Sequence, residues 1–280
     1  MTELPATTDI TGIKDVPFET YLTMGDTSKS SLWTAIDKSP AHAKVAKEES
    51  NAMAMGTAVH VAVLEPEEFH RFVRGPDDRR GNKWKDALDE HGANLLTSGD
   101  YDNALAIRDR FRREPLIKKL VGAKTLREIS GFARDPATGL MIRIRPDARR
   151  DDIALTVDLK ATTDVRADPF SRRIAQFGYH LQEAIYRDTW ARAAIGTNHN
   201  PETDAFIFLT VEIKEPFEFI PYELDEDDVA AGRKTAQAAL DLWKRCVETG
   251  QWPGYARQIT PIARPAWVRR GERDPEADEE

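Results

Sequence analysis

The stretch Asp152-Ile-Ala-Leu-Thr-Val-Asp-Leu-Lys160 decides how this chain is read. Ile153, Leu155, Val157 and Leu159 alternate with Ala154, Thr156, Asp158 and Lys160. Side chains on a strand point alternately to its two faces, so this period predicts a strand over 153–160 with one apolar face turned to the core. Asp158 and Lys160 then stand side by side on the other face. One reading is an ion pair on a solvent-facing edge strand; the other is a pair of charges that works at a site.

Working outward, two strands are expected before it, over about 124–134 and Leu140–Arg145. Asp135-Pro-Ala-Thr-Gly139 joins them as a turn, with proline setting φ and glycine accepting positive φ, and Pro146 stops the second strand. After it come a long helix over about 169–195, strands over about 204–212 and 216–223, and a last helix over about 225–248. The first third reads as helical to about residue 120. Ser30-Ser31 caps a short helix, Ser39-Pro40 opens another, and Asn51 caps a longer one that ends near Pro66. A basic helical stretch over 98–120 has Leu105, Phe111 and Leu116 as apolar anchors. This order predicts a mixed α/β (α+β) fold: a central mixed β-sheet flanked by helices, with an N-terminal helical region. Residues 1–16 read as a flexible leader, 17–267 as a single domain and 268–280 as a disordered acidic tail.

The length of 280 residues is enough for a substantial core. No apolar run approaches the roughly 20 residues that a membrane helix needs, and the first residues lack the pattern of a signal peptide. A cytoplasmic location and no membrane partner are therefore expected. The single cysteine, Cys246, excludes a disulfide framework, a cysteine zinc site or a four-cysteine cluster within one chain, and it reads as a core residue. The net charge of −8 argues against nucleic acid, but charge is unevenly placed. Residues 107–150 hold thirteen Lys/Arg and five Asp/Glu, whereas 269–280 hold three and six. The middle of the chain thus offers a local phosphate-binding surface, or a solvated helix face.

Asp147 follows Pro146, and a hairpin through residues 149–152 returns the chain to the strand that carries Asp158 and Lys160. Two carboxylates brought together repel each other unless a cation lies between them. Hard oxygen ligands suit Mg²⁺, with Mn²⁺ able to substitute. A lysine beside such an ion can orient or deprotonate a water and stabilise charge on phosphorus.

Pro146-Asp147 followed by Asp158-Leu159-Lys160 resembles the PD-(D/E)XK nuclease superfamily. Gly56-Thr-Ala-Val-His60 resembles its G-x-x-x-H motif, and Gln182-Glu-Ala-Ile-Tyr186 its Q-x-x-x-Y motif. Ser39-Pro-Ala-His42, Gly81-Asn-Lys-Trp84, Glu128, Arg143-Ile-Arg-Pro-Asp147 and Trp252-Pro-Gly-Tyr255 narrow the resemblance to the exonuclease VIII-like (RecE-type) family of phages and prophages. Gly81-Asn-Lys departs from the Gly-Lys expected there.

The resemblance implies a restriction-endonuclease-like core and a Mg²⁺-dependent exodeoxyribonuclease. That enzyme would act on double-stranded DNA ends, 5′ to 3′, leaving 3′ strands for a single-strand annealing recombination protein, and would work as a homo-oligomer. It implies His60, Asp147, Asp158 and the Leu159 carbonyl as metal ligands. Lys160 would position the attacking water, Gln182 touch phosphate or water, and Tyr186 brace Gln182, with Ile174, Phe177, Leu181 and Ile185 packing the core behind them; Glu128 would support a second metal or order the ligands of the first, or else be a strand residue in a salt bridge. Arg143, Arg145, Arg112, Arg113, Lys118, Lys119, Trp84 and Lys85 are candidate DNA contacts, Trp84 by stacking on a frayed end. The alternatives are an endonuclease of the same fold and an inactive DNA-binding protein that keeps it.

Overall fold

The computed structural model describes residues 10–45, 51–256 and 258–265. In chain order the elements begin with β1 (Gly12–Lys14), α1 (Phe18–Thr23), β2 (Thr27–Ser28), α2 (Lys29–Asp37), α3 (Pro40–Ala43) and α4 (Asn51–Leu64). A 3₁₀ turn, Pro66–Arg71, leads to β3 (Val73–Arg74), α5 (Asn82–His91), β4 (Leu95–Leu96), α6 (Ser98–Arg113) and α7 (Pro115–Leu120). Then come β5 (Leu126–Arg127), β6 (Ser130–Arg134), β7 (Met141–Ile144), β8 (Ala148–Arg150) and β9 (Leu155–Thr162). The chain continues through α8 (Ala167–Phe177), α9 (Tyr179–Ala193), β10 (Ala205–Glu212), β11 (Phe219–Tyr222) and α10 (Glu226–Thr249).

β9 is the centre of a five-stranded sheet ordered β11-β10-β9-β8-β5. It runs parallel to β10 and antiparallel to β8, so the sheet is mixed as expected. Its two faces meet different layers. Leu155, Val157 and Leu159 pack with Val59 and Ala62 of α4 and with Ala104, Ile107 and Phe111 of α6. Burying each such side chain is worth about 1.5–3 kcal/mol, which fixes the register because a one-residue slip would expose all three. The opposite face turns Asp158 and Lys160 toward α9. A second sheet, β1-β6-β7-β2, joins α2, α9 and α10 around Leu32, Ile142, Leu181 and Trp243. Cys246 is buried there, as expected.

Several boundaries differ from the sequence reading. Ile153 is half exposed in a short turn, and Ala154 has φ +48°, so the strand starts at Leu155. The expected strand over 124–134 is broken at Glu128, whose φ is +51°. That kink moves the chain from the five-stranded sheet to the four-stranded one. The expected helix over 98–120 stops before Pro115, which has no N–H to continue the ladder, and Leu116 lies exposed. The expected helix over 169–195 divides at Gly178, in the left-handed conformation, and Phe177 is partly exposed where core packing was expected. Residues 12–14, inside the expected leader, pair with β6. The expected tail and the side chain of Asn51 lie outside the described residues.

Candidate active site

Asp147 precedes β8, whose pairing with β9 sets Ala148 opposite Val157. The turn at Pro146 therefore delivers Asp147 beside Asp158. The backbone N–H of Leu159 donates to Asp147 Oδ2 at 2.7 Å, which leaves Oδ1 turned toward His60 Nε2 at 3.0 Å. His60 comes from α4, on the other side of the sheet. The small residues Gly56 and Ala58 and the buried Ala62 let α4 lie close to β9. Glu128 reaches the same place from its left-handed kink, with Oε1 3.3 Å from His60 Nε2 and Oε2 accepting from Arg145 Nε at 2.8 Å. A residue held in that conformation costs of order 1–3 kcal/mol, and such strain concentrates where a side chain must be aimed.

His60, Glu128 and Asp147 offer one ligand atom each within 4.8 Å of one another. Asp158 stands beside this group, ion-paired with Lys160 and hydrogen-bonded by the Gln182 side-chain amide. Lys160 Nζ also donates to Gln182 Oε1 at 3.2 Å and lies 4.5 Å from the centre of the Tyr179 ring. Glu128 thus joins His60 and Asp147, while Asp158 beside them contacts the Lys160 ammonium and the Gln182 amide.

The charges are strongly coupled. Burial pushes His60 down, but Asp147, Glu128 and Asp158 overcome it and raise its pKa to about 9. Burial raises Glu128 to about 7, against the pull of His60. Asp147 is also buried, yet His60, Lys160 and the Leu159 N–H hold it below the usual carboxylate range. Burial and repulsion from Asp147 push Asp158 up, against the pull of Lys160. Lys160 rises to about 12, since the acids and Tyr179 outweigh its burial.

The donor set fits a divalent cation. Glu128 Oε1 is buried and accepts no hydrogen bond, and Asp158 Oδ1 is buried against the Lys160 ammonium, so the group holds carboxylate oxygens with unshared lone pairs. One imidazole and several carboxylates are the ligand chemistry of a hard cation rather than of a soft one.

The sequence matches, over residues 29–264, the family described as a PDDEXK-like domain of unknown function (DUF3799). The chain belongs to this PDDEXK-like family. No curated protein matches it. The PDDEXK-like fold is similar to a crystal structure from Eubacterium rectale described as a "putative exonuclease". That alignment has a TM-score of 0.60 and 14% identity, and covers 89% of this chain and 97% of the other. A second solved structure, SSO0001, aligns over 76% of this chain and 84% of its own at a TM-score of 0.32 and 12% identity.

Within this PDDEXK-like site, Asp147, Asp158, Lys160, His60, Glu128 and Gln182 come together. Tyr186 lies one turn beyond Gln182, but its hydroxyl faces the Arg145 carbonyl at 3.5 Å and not Gln182. Arg145 donates to Glu128, Val16 O and Ser130, and Arg143 to the Met24 and Gly25 carbonyls. Arg112, Arg113, Lys118 and Lys119 are exposed at the junction of α6 and α7. Trp84 corrects an expectation: it is buried, with Arg79 stacked over it, on a helix that packs on β4. It has no open ring face for a base, while its neighbour Lys85 is exposed.

Two residues escaped the sequence reading. Tyr179 is the platform under Lys160, and Lys29 approaches the same ring at 5.3 Å while donating to Phe177 O at 2.7 Å. Tyr179 was legible in principle, three residues before Gln182 on one helix face. For Lys29 no spacing rule would have found it.

Proposed function

We propose that this chain is a Mg²⁺-dependent DNA nuclease that hydrolyses phosphodiester bonds at the ends of linear double-stranded DNA. The observation that carries the reading is the convergence of His60, Glu128 and Asp147 beside the Asp158–Lys160–Gln182 set, where the start of β8 meets the second half of β9. His60, Glu128 and Asp147 would hold the cation, with Asp158 and the Leu159 carbonyl beside it. When bound, a divalent cation supplies Lewis acidity and neutralises charge on the phosphate.

The remaining work belongs to the chain. Lys160 presents a fixed positive charge to the oxygens on which negative charge grows during attack on phosphorus. Gln182 holds Lys160 and Asp158 together and so sets their spacing. Tyr179 forms an aromatic wall beside the ammonium and keeps solvent from it. Arg145 holds Glu128, a positioning role one step from the reacting atoms. The exonuclease description of the Eubacterium rectale protein agrees with end-directed cleavage. Digestion from 5′ to 3′, the role in recombination with an annealing protein, and a homo-oligomeric form rest on the RecE-type resemblance.

The test is digestion of end-labelled linear duplex DNA with blocked 5′ or 3′ ends, beside closed circular duplex, in Mg²⁺, Mn²⁺ or chelator. The expected result is metal-dependent loss of the linear DNA from its free 5′ ends. Cleavage of the closed circle would replace the exonuclease with an endonuclease of the same fold. Intact DNA under every condition would leave a DNA-binding protein that has kept the fold.

A further inference from the structure

Leu64 lies one turn beyond His60 on α4, about 6 Å along the helix axis, and Arg127 immediately precedes Glu128. Both line a cavity of about 560 Å³ bounded by the end of α4, the 3₁₀ turn after it, α6 and α7. That volume falls in the range of small-molecule sites, roughly 300–1,000 Å³. The wall formed by Leu64, Phe111, Ile117 and Val121 is apolar. Arg108, Arg112, Lys118 and Arg127 stand around it. Arg108 pairs with Asp109 at 2.8 Å and Arg127 donates to Val121 O at 3.3 Å. Arg112 and Lys118 are exposed and enter no ion pair among the described residues. The facing lip carries Glu65, Glu67 and Glu68.

Four cations around one concavity repel each other, and an anion entering the cavity relieves that repulsion. An apolar wall adds a place for a flat, weakly hydrated group. The acidic lip restricts the occupant further. A continuous phosphate backbone would be repelled there, whereas carboxylates accept hydrogen bonds from the exocyclic amines of a base.

We infer that this cavity takes a single unpaired nucleotide of the DNA substrate, its base against the part-exposed Val63 and Val121 and its phosphate against Arg112 and Lys118. The inference rests on the nuclease reading and deepens it. Leu64 and Arg127 tie the cavity to His60 and Glu128 through one helical turn and one peptide bond, so a nucleotide held there lies near the strand being cut. The preferred substrate is then a duplex with an unpaired end, not a blunt one.

The experiment compares, by fluorescence anisotropy in chelator, a duplex bearing a short single-stranded overhang with a blunt duplex of equal length. Deoxynucleoside monophosphate is the competitor, and thermal midpoints report folding. Wild type is expected to bind the overhang duplex about ten-fold more tightly, the scale of one stacked base. The double variant Arg112→Glu/Lys118→Glu should lose that preference. So should Val121→Phe, which fills the cavity without changing charge, and the monophosphate should compete it away. Equal affinity of wild type for both duplexes, or an intact preference in both variants with unchanged melting, would overturn the inference. So would binding of the monophosphate that leaves overhang binding untouched, since the cavity would then serve free nucleotides. If the overhang preference maps to this cavity but no DNA is cut in Mg²⁺ or Mn²⁺, the cavity stands and the nuclease reading falls. Cutting at full rate by variants that keep the preference does the reverse.

Discussion

Two buried polar clusters lie side by side on β8 and β9, and they are built on opposite principles. One centres on Arg149, whose side chain is fully buried. Its Nε donates to Asp151 at 2.9 Å, Nη1 to Thr156 at 3.2 Å and Thr203 at 3.0 Å, and Nη2 to the carbonyls of Asn200 and Glu202. Its guanidinium also stacks over Trp190. The other cluster, two residues away at Asp147, leaves Glu128 Oε1 without a hydrogen bond. Desolvating a charge is costly, and the Arg149 cluster offsets that cost by saturating every donor. The Asp147 cluster stays unsaturated and carboxylate-rich, a destabilising arrangement that makes sense where a cation and a substrate complete it.

The contrast can be broken. Asp158→Ala and Lys160→Ala should each reduce digestion of linear duplex per folded molecule by about 10³-fold, the scale of losing a preorganised charge at phosphorus, on top of the fall in melting midpoint from leaving the partner charge unpaired. Wild-type digestion by either purified variant would remove the site from the chemistry. Arg149→Met should do the opposite. Leaving the Asp151 carboxylate and the 200–203 carbonyls without their donor should cost about 3–5 kcal/mol in denaturant unfolding, while the rate per folded molecule stays near wild type. A large fall in that rate would show that the two clusters are not separate.

A third charged group sharpens the contrast. Glu183 is fully buried, bound to Arg187 Nε at 2.8 Å, with Oε2 left unpartnered. Burial outweighs Arg187 and raises its pKa from 4.5 to about 7. A carboxyl raised on folding holds its proton better in the native state, so native stability falls as pH rises from about 4.5 to about 7. The expected contribution is on the order of 3 kcal/mol. Glu183→Gln should flatten the pH dependence of stability in that window, and an unchanged slope would show that Glu183 is ionised throughout. Smallest is Tyr186→Phe. A hydroxyl 3.5 Å from its carbonyl acceptor contributes little, so digestion should change less than about three-fold. A ten-fold loss would return Tyr186 to the site.

Much of this was legible in the sequence because it was periodic or clustered. The alternation from Leu155 to Lys160 gave the central strand and its two faces, and the Pro146-Asp147 turn gave the neighbour. Glu128 was legible as a site residue, but not its place beside His60 and Asp147, which depends on a backbone kink that no local pattern announces. β2, β3, β4 and β5 have two residues each, too few to show a period. Arg143 and Arg145 have the right strand parity for a phosphate, but parity cannot tell that Met24, Gly25, Val16 and Glu128 use them first. Trp84 failed for a related reason: burial is a property of the packed chain.

The division at Gly178 has a consequence for how this molecule tolerates change. Its backbone adopts φ +64°, and a Cβ there would fall within the indole ring of Trp33, itself tied to Gln176 O at 3.2 Å. Every other side chain is thus excluded twice, by conformation and by volume. A saturation screen for activity would find this position intolerant of change, although a Cβ there meets Trp33 and not the acids. A map of mutational sensitivity would rank a hinge beside Tyr179 among the catalytic residues, and only measurement of folding would tell them apart.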